Sequence, residues 1–167
     1  DVEADDSILE LTKARLPWLV LALLGGFISV KMLGLFEGAM LEHGELFFFT
    51  PLIAAMAGNV GVQSSAIIVQ GLANNTISGS LWNRLVKEVS LSLLNGVILA
   101  TILFVGSHFL LDVNIQLGIT VTVSLISVIV IASLIGTFIP LLLNRFGIDP
   151  ALATGPFITT SNDICGI

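Results

Sequence analysis

The sequence predicts an all-α integral membrane protein with five membrane-spanning segments. Hydrophobic residues make up 55% of the 167 residues and charged residues only 11%, whereas a soluble domain carries about 25% charged residues. The mean hydropathy is +1.03. Apolar segments of about 20 residues, the length that a helix needs to cross a bilayer, recur along the chain. A chain of this composition cannot cover a globule with polar surface, so it must face lipid.

Charge and cysteine content argue against two other classes of protein. The net charge is −6, whereas a nucleic-acid-binding protein presents a basic surface. The single cysteine cannot form an internal disulfide, and no Cys/His cluster has the spacing of a zinc site. We therefore expect no nucleic-acid partner, and the lipid bilayer is the predicted environment of the chain.

Four apolar segments are long enough to span a bilayer, and a fifth is shorter. They are residues 16–36, 46–73, 85–111, 115–143 and 156–167. The fifth has 12 residues, so we expect either an incomplete span that continues beyond Ile167 or a re-entrant half-helix. The preceding residues 1–15 are rich in acidic side chains, and Asp6 or Ser7 is a candidate helix cap. This segment is predicted to be a solvated linker helix or a regulatory lever.

The distribution of Lys and Arg predicts how the chain is oriented. Basic residues concentrate in cytoplasmic loops, and five of the six fall on one side of the predicted spans. They are Lys13, Arg15, Arg84, Lys87 and Arg145. Lys31 is the exception, and its long side chain can reach the outer surface from the end of the first span. We expect a multi-pass protein of the cell inner (plasma) membrane with a cytoplasmic N-terminus.

Two acidic residues fall at predicted membrane depth, where ionisable groups are costly and usually functional. Asp163 lies seven residues after Pro156, which is about 10 Å along a helix. A carboxylate at that depth needs water, a cation or a charged partner. Glu88 is shallower, and a pair with a neighbouring basic residue would explain it equally well. Four more acids are predicted in outer loops, where they would attract cations. They are Glu37, Glu42, Glu45 and Asp112.

The second span combines a proline, glycines and polar residues at mid-depth. Pro51 removes a backbone donor and favours a kink. Gly58 and Gly61 permit unwinding or close approach. Asn59 and Gln63 are four residues apart and share a face. The pattern predicts an interrupted helix that lines a cavity, with tight packing of small residues as the alternative.

The fifth segment carries a similar combination of residues. Asp149 and Pro150 are typical of a helix start, and Thr159 and Asp163 share a face farther along. Paired interrupted helices mark the binding site in many transporters. One carboxylate among hydroxyls, amides and carbonyls suits Mg²⁺, which keeps several of its waters when bound.

These motifs resemble the MgtE family of magnesium channels and transporters. The resemblance rests on three segments: Pro51 through Gly58-Asn59-Val60-Gly61-Val62-Gln63-Ser64, Asp149-Pro150-Ala151 through Gly155-Pro156-Phe157-Ile158-Thr159-Thr160 to Asp163, and Lys87-Glu88. It implies a homodimer with five spans per subunit, a pore between subunits lined by spans two and five, and Mg²⁺ as the transported ion. Ala57 departs from the family pattern, since many members have glycine there.

The resemblance also implies roles for individual residues. Asp163 matches the acidic residue that recognises hydrated Mg²⁺ in such pores, with the Thr159 carbonyl one turn before it. The candidate metal-binding residues are Asp163, Thr159, Asn59 and Glu88, and the candidate pore-lining residues are Gly58, Gly61, Gln63, Pro156 and Asn162. Family members usually carry cytoplasmic magnesium-sensing domains, including CBS domains, before a connecting helix. Residues 1–15 resemble the end of that helix, and residues 16–167 the transmembrane pore domain.

Three other functions compete with a magnesium channel. An ion-coupled secondary transporter would use Asp163 to exchange protons. An intramembrane enzyme is disfavoured, because His43 and His108 lie in or near outer loops and Asp163 is the single Asp at mid-depth. A P-loop motif is also missing from the sequence. A purely structural membrane subunit would leave Asp163 unexplained. We therefore expect a transport protein and no enzyme.

Overall fold

The computed structural model describes residues 7–77 and 80–166, and every regular element in these ranges is an α-helix. The helices are α1 (Ile8–Leu35), α2 (Glu37–Glu42), α3 (Leu46–Ala73), α4 (Leu81–Leu111), α5 (Ile115–Arg145) and α6 (Pro150–Gly166). Four of them, α1, α3, α4 and α5, are long and apolar enough to cross a membrane. The predicted all-α membrane class is therefore confirmed. The fifth predicted segment falls in α6, and the short α2 was not predicted.

Helix α1 begins well before the predicted first span. It runs without a break from Ile8 to Leu35, so the predicted linker and the first span form one continuous helix. Ser7 caps its N-terminus in a reciprocal arrangement: the Ser7 hydroxyl accepts from the Glu10 backbone N–H, and the Glu10 carboxylate accepts from the Ser7 backbone N–H. Residues 1–6 of the predicted linker lie outside the described residues.

The predicted interruption of the second span is wrong. Helix α3 stays α-helical from Leu46 to Ala73, through Pro51 and both glycines. Pro51 lies near the start of α3, so the missing N–H leaves one carbonyl, that of Phe47, without its helical donor. Helix α6 is likewise continuous from Pro150 to Gly166. Proline and glycine at depth therefore do not unwind either helix.

Helix α5 is the centre of the molecule. It packs against α3, α4 and α6, and α6 packs in turn against α1 and α3. The buried apolar core includes a cluster formed by Phe49, Ile53, Ala57, Val121, Val128 and Ala132. The apolar side chains of α1 and α4 remain largely exposed, which is the surface that a membrane helix presents to lipid.

Two glycines allow α3 and α5 to approach at van der Waals distance. A Cβ atom added to Gly136 on α5 would overlap the carbonyl oxygen of Gly61 and lie 3.1 Å from the Cα atom of Gly61. A Cβ on Gly61 would in turn lie 2.8 Å from Cγ2 of Ile158 on α6 and would overlap the Asn162 amide. We call Gly61, Gly136 and Asn162 the three-helix junction. Small residues typically mark such contacts in membranes, so Gly61 packs between helices rather than lining an open surface as predicted.

Candidate functional site

The residues of helix α6 face three different surroundings. Asn162 faces α3, whereas Phe157 faces α1 and packs edge-on against Trp18, with ring centroids 6.1 Å apart. Thr159 is exposed and Asp163 is half-buried. Since the last two are four residues apart, they share the remaining face of the helix. The role of Thr159 and Asp163 as metal-binding residues stays a prediction.

Asn162 anchors α6 to α3. Its side chain is fully buried, and its Nδ2 atom donates a 3.0 Å hydrogen bond to the carbonyl oxygen of Ala57. A buried amide is costly without such a partner, so this bond fixes the register of the two helices. The predicted pore-lining role of Asn162 is inconsistent with this placement, because a fully buried side chain is not available to a passing ion.

Asp163 lies at an opening of about 320 Å³ between α1, α3 and α6, which we call the Asp163 opening. Its other lining residues are Ser29 and Leu33 of α1 and Phe47, Thr50, Pro51 and Ala54 of α3. The structure thus brings together Asp163 and Pro51, the ends of the two sequence motifs. The walls are mainly apolar, and an environment of low dielectric constant strengthens the attraction of a carboxylate for a cation.

A second group of predicted residues forms a polar strip on the exposed side of α3, comprising Gly58, Asn59 and Gln63. The side chains of Asn59 and Gln63 are exposed. A Cβ atom added to Gly58 would meet no atom within 4 Å, so this turn of α3 offers bare backbone beside two amides. Asn59 and Gln63 lie on the side of α3 away from Gly61, whereas Gly58, three residues before Gly61, lies between the two sides.

Glu88 is placed away from the Asp163 opening. Its Oε1 atom accepts a 2.6 Å hydrogen bond from the hydroxyl of Ser64, on the buried side of α3. Ser64 is seven residues beyond Ala57, the residue that contacts Asn162, and this corresponds to about 10 Å along the helix. Among the described contacts, Glu88 thus bonds to Ser64 and links α4 to α3, and no pair with a neighbouring basic residue is found.

Ser29 and Ser64 were not predicted as site residues from the sequence. Ser29 lines the Asp163 opening and Ser64 holds Glu88. Gly25 and Ser29 are four residues apart, and a small-xxx-small pattern of this kind is the sequence signal that could have placed Ser29 at a helix contact. Ser64 belongs to the polar motif of the second span, but the sequence did not indicate its partner, because Glu88 comes from a different span.

The remaining predicted site residue, Pro156, lies within α6, and its side chain is outside the described residues. Thr159 donates from its hydroxyl to the carbonyl oxygen of Gly155 at 2.9 Å. Across the described ranges, no three His, Cys, Asp or Glu side chains are grouped so that they could hold a metal ion. Asp163 is thus the carboxylate that this opening offers.

Comparison with known proteins gives a consistent result. A family model for MgtE, described as a divalent cation transporter, matches residues 50–167. Three curated proteins named magnesium transporter MgtE are similar. The one from Bacillus subtilis is 34% identical over 168 residues, covering 100% of this chain and 37% of the relative. The protein from Enterococcus faecalis is 34% identical over 170 residues, covering 99% of this chain and 36% of the relative. The protein from Thermus thermophilus is 35% identical over 155 residues, covering 92% of this chain and 34% of the relative. The chain spans about a third of the length of these curated relatives.

Proposed function

Because the chain belongs to the MgtE family of divalent cation transporters, we propose that it is the pore domain of a magnesium-selective channel. Hydrated Mg²⁺ is the cargo, and it passes between two copies of the chain. The observation that carries this proposal is Asp163, a half-buried carboxylate on the open face of α6, at an opening with mainly apolar walls. The runner-up is an ion-coupled divalent-cation transporter on the same scaffold.

The energetics of Asp163 favour a cation at this opening. A carboxylate at membrane depth is costly unless it meets water, a cation or a hydrogen-bond donor. Magnesium dehydrates reluctantly and is held through its waters by one or two carboxylates. One Asp at an opening therefore suits a hydrated Mg²⁺ better than a dehydrated Ca²⁺, which takes six to eight oxygen ligands.

A homodimer would complete the charge balance. Two-fold symmetry repeats every group across the axis, so that one Asp163 becomes two. Two carboxylates neutralise one divalent ion. The open Thr159–Asp163 face of α6 and the polar strip of α3 are the surfaces that we assign to the space between subunits. Asn59 contributes an amide oxygen there, and Gly58 gives a bare backbone that an ion can approach closely.

The proposed setting is the cell inner membrane with the N-terminus in the cytoplasm, where the basic loops would lie. The relatives are about three times as long as this chain, which leaves room for the cytoplasmic magnesium-sensing domains that the resemblance implies. Helix α1 runs unbroken from Ile8 into its apolar part. A continuous helix is a rigid connection through which such domains could act on α6, its packing partner.

A flux measurement tests the channel against the coupled transporter. The chain is reconstituted into liposomes loaded with a Mg²⁺-sensitive dye, and internal pH is recorded in parallel. A channel predicts Mg²⁺ entry that follows its electrochemical gradient without stoichiometric proton movement. Proton movement tied obligatorily to Mg²⁺ entry contradicts the channel and favours the transporter, whereas a chain that moves no divalent ion contradicts both.

The polar strip of α3 should face water in the open pore. We expect Asn59→Cys and Gln63→Cys, each in a Cys165→Ser background because Cys165 is itself exposed, to react with water-soluble thiol reagents. Thr101→Cys on the exposed side of α4 is the control and should react with lipid-soluble reagents instead. Labelling is read by mass spectrometry. Protection of both α3 positions from water-soluble reagents, with reaction only from the lipid side, contradicts the assignment.

Glu88 should support the pathway from the predicted inner side, with a smaller effect than Asp163. Glu88→Gln removes the charge but retains an oxygen that can accept the Ser64 hydrogen bond. We expect a reduction in Mg²⁺ flux of about fivefold, corresponding to about 1 kcal/mol. Ser64→Ala is the matched control, because it removes the bond and retains the charge. Flux and ion preference that stay unchanged in Glu88→Gln would leave Glu88 as a structural residue.

A further inference from the structure

Two hydroxyl groups share the Asp163 opening. Ser29 of α1 and Thr50 of α3 are the polar residues that line it together with Asp163. Ser29 is held there by close packing of α1 on α6: a Cβ atom added to Gly25, one turn before Ser29, would lie 2.9 Å from Cβ of Thr160. The position of Ser29 beside Asp163 therefore follows from the close packing of the α1 backbone at Gly25 on the Thr160 side chain.

The protons of both hydroxyls are already committed. Ser29 Oγ donates to the carbonyl oxygen of Gly25 at 3.3 Å, and Thr50 Oγ1 donates to that of Leu46 at 3.2 Å. A hydroxyl has one proton to donate and two lone pairs that accept. With its proton bound to the preceding turn of its own helix, each oxygen acts toward the opening as an acceptor. The three polar side chains that line the opening thus present acceptors of hydrogen bonds.

We propose that Ser29 and Thr50 bind the water shell of the transported divalent cation, beside Asp163. This inference rests on the proposed function and adds α1 to the helices that contact the ion. Waters on a divalent cation direct their protons outward, so a hydrated cation presents donors alone. A wall of acceptors is complementary to it, whereas an anion finds no donor among these side chains. The carboxylate supplies the charge, and the two hydroxyls orient the remaining waters.

The size of the opening agrees with a hydrated ion. Magnesium demands octahedral coordination, and six waters at about 30 Å³ each occupy about 180 Å³. The opening measures about 320 Å³, which is large enough for the aquo ion. Because Ca²⁺ sheds water readily and takes protein oxygens directly, loss of water-binding hydroxyls should affect Mg²⁺ more than Ca²⁺. Ser29 and Thr50 are therefore assigned to the preference for Mg²⁺.

The test measures the Mg²⁺ concentration that gives half-maximal flux into liposomes. Ser29→Ala and Thr50→Val should each raise it about fivefold, the effect of one lost hydrogen bond, and should lower the Mg²⁺/Ca²⁺ selectivity ratio. Thr50→Ser restores a hydroxyl and should recover the parent affinity. Thr101→Val is the matched control: Thr101 makes the same bond to its own helix, to Val97 at 2.8 Å, on the exposed side of α4. It should behave as the parent.

Asp163→Asn, measured in the same series, distinguishes a failure of the hydroxyl assignment from a failure of the proposed function. If Asp163→Asn impairs Mg²⁺ flux while Ser29→Ala and Thr50→Val keep the parent affinity and selectivity, the hydroxyl assignment is wrong and the proposed function stands. If Asp163→Asn itself conducts Mg²⁺ like the parent, the proposed function fails first. Gel-filtration elution of each variant shows whether the fold is retained. A loss of Mg²⁺ affinity in Thr50→Ser equal to that in Thr50→Val also contradicts the hydroxyl assignment.

Discussion

Replacement of Asp163 by Asn is expected to abolish selective Mg²⁺ binding and flux while the protein remains folded. Asn has the shape of Asp without its charge, so the site keeps its volume and loses the attraction for a divalent ion. Hydrogen bonds to a charged group contribute about 1.5–3 kcal/mol each, and a two-fold dimer loses two carboxylates at once. We expect Mg²⁺ affinity to fall at least about a hundredfold, and Asp163→Ala to have the same effect.

The measurements are calorimetric Mg²⁺ binding and dye-reported liposome flux. Asp112→Asn is the matched control, because Asp112 ends α4 in the left-handed conformation (φ 52°), which Asn also adopts readily. Binding to the parent should strengthen as pH rises and Asp163 ionises, since the ionised form holds the cation. Parent-like binding and conduction of Mg²⁺ by Asp163→Asn, with other divalent ions still excluded, would falsify the central role of Asp163.

Gly136→Ala is expected to give the largest loss of stability of any single methyl addition considered. The added Cβ atom would overlap the Gly61 carbonyl oxygen and lie 3.1 Å from the Gly61 carbonyl carbon. Both are backbone atoms of α3, so no side-chain rotation relieves the overlap, and α3 and α5 must separate. Overpacking costs about 1–3 kcal/mol and occasionally more. At the upper end this lowers the unfolding midpoint by roughly 6–12 °C for a chain of this size.

Thermal unfolding in detergent measures the effect, with Gly106→Ala as the control. A Cβ atom on Gly106 of α4 would meet no atom within 4 Å, and alanine is favoured over glycine in a helix by about 0.5–1 kcal/mol. Gly106→Ala should therefore be as stable as the parent or slightly more so. Equal midpoints for Gly136→Ala and Gly106→Ala would mean that the three-helix junction does not limit stability.

Features that depend on chain-local properties were predicted well from the sequence. The length of an apolar run determines whether a helix can span hydrocarbon. The predicted bounds of the first four segments therefore agree with the helices to within a few residues, except at the start of the first segment. The four-residue spacing of Thr159 and Asp163 placed both on one face of α6, because helical geometry is local. The start of α1 was also predicted, since Ser7, one of the two candidate caps, caps the helix.

The assignment of faces to partners depended on the tertiary structure. The sequence motifs assigned Gly58, Gly61 and Asn162 alike to the pore, yet Gly61 and Asn162 pack against another helix and Gly58 stays accessible. The bonds from Asn162 to Ala57 and from Ser64 to Glu88 join different helices. In a soluble protein, polarity would have distinguished the buried face from the exposed one. Lipid is as apolar as a packed core, so the sequence determines that these helices cross a membrane, and only the close approach of their backbones decides which side chains meet.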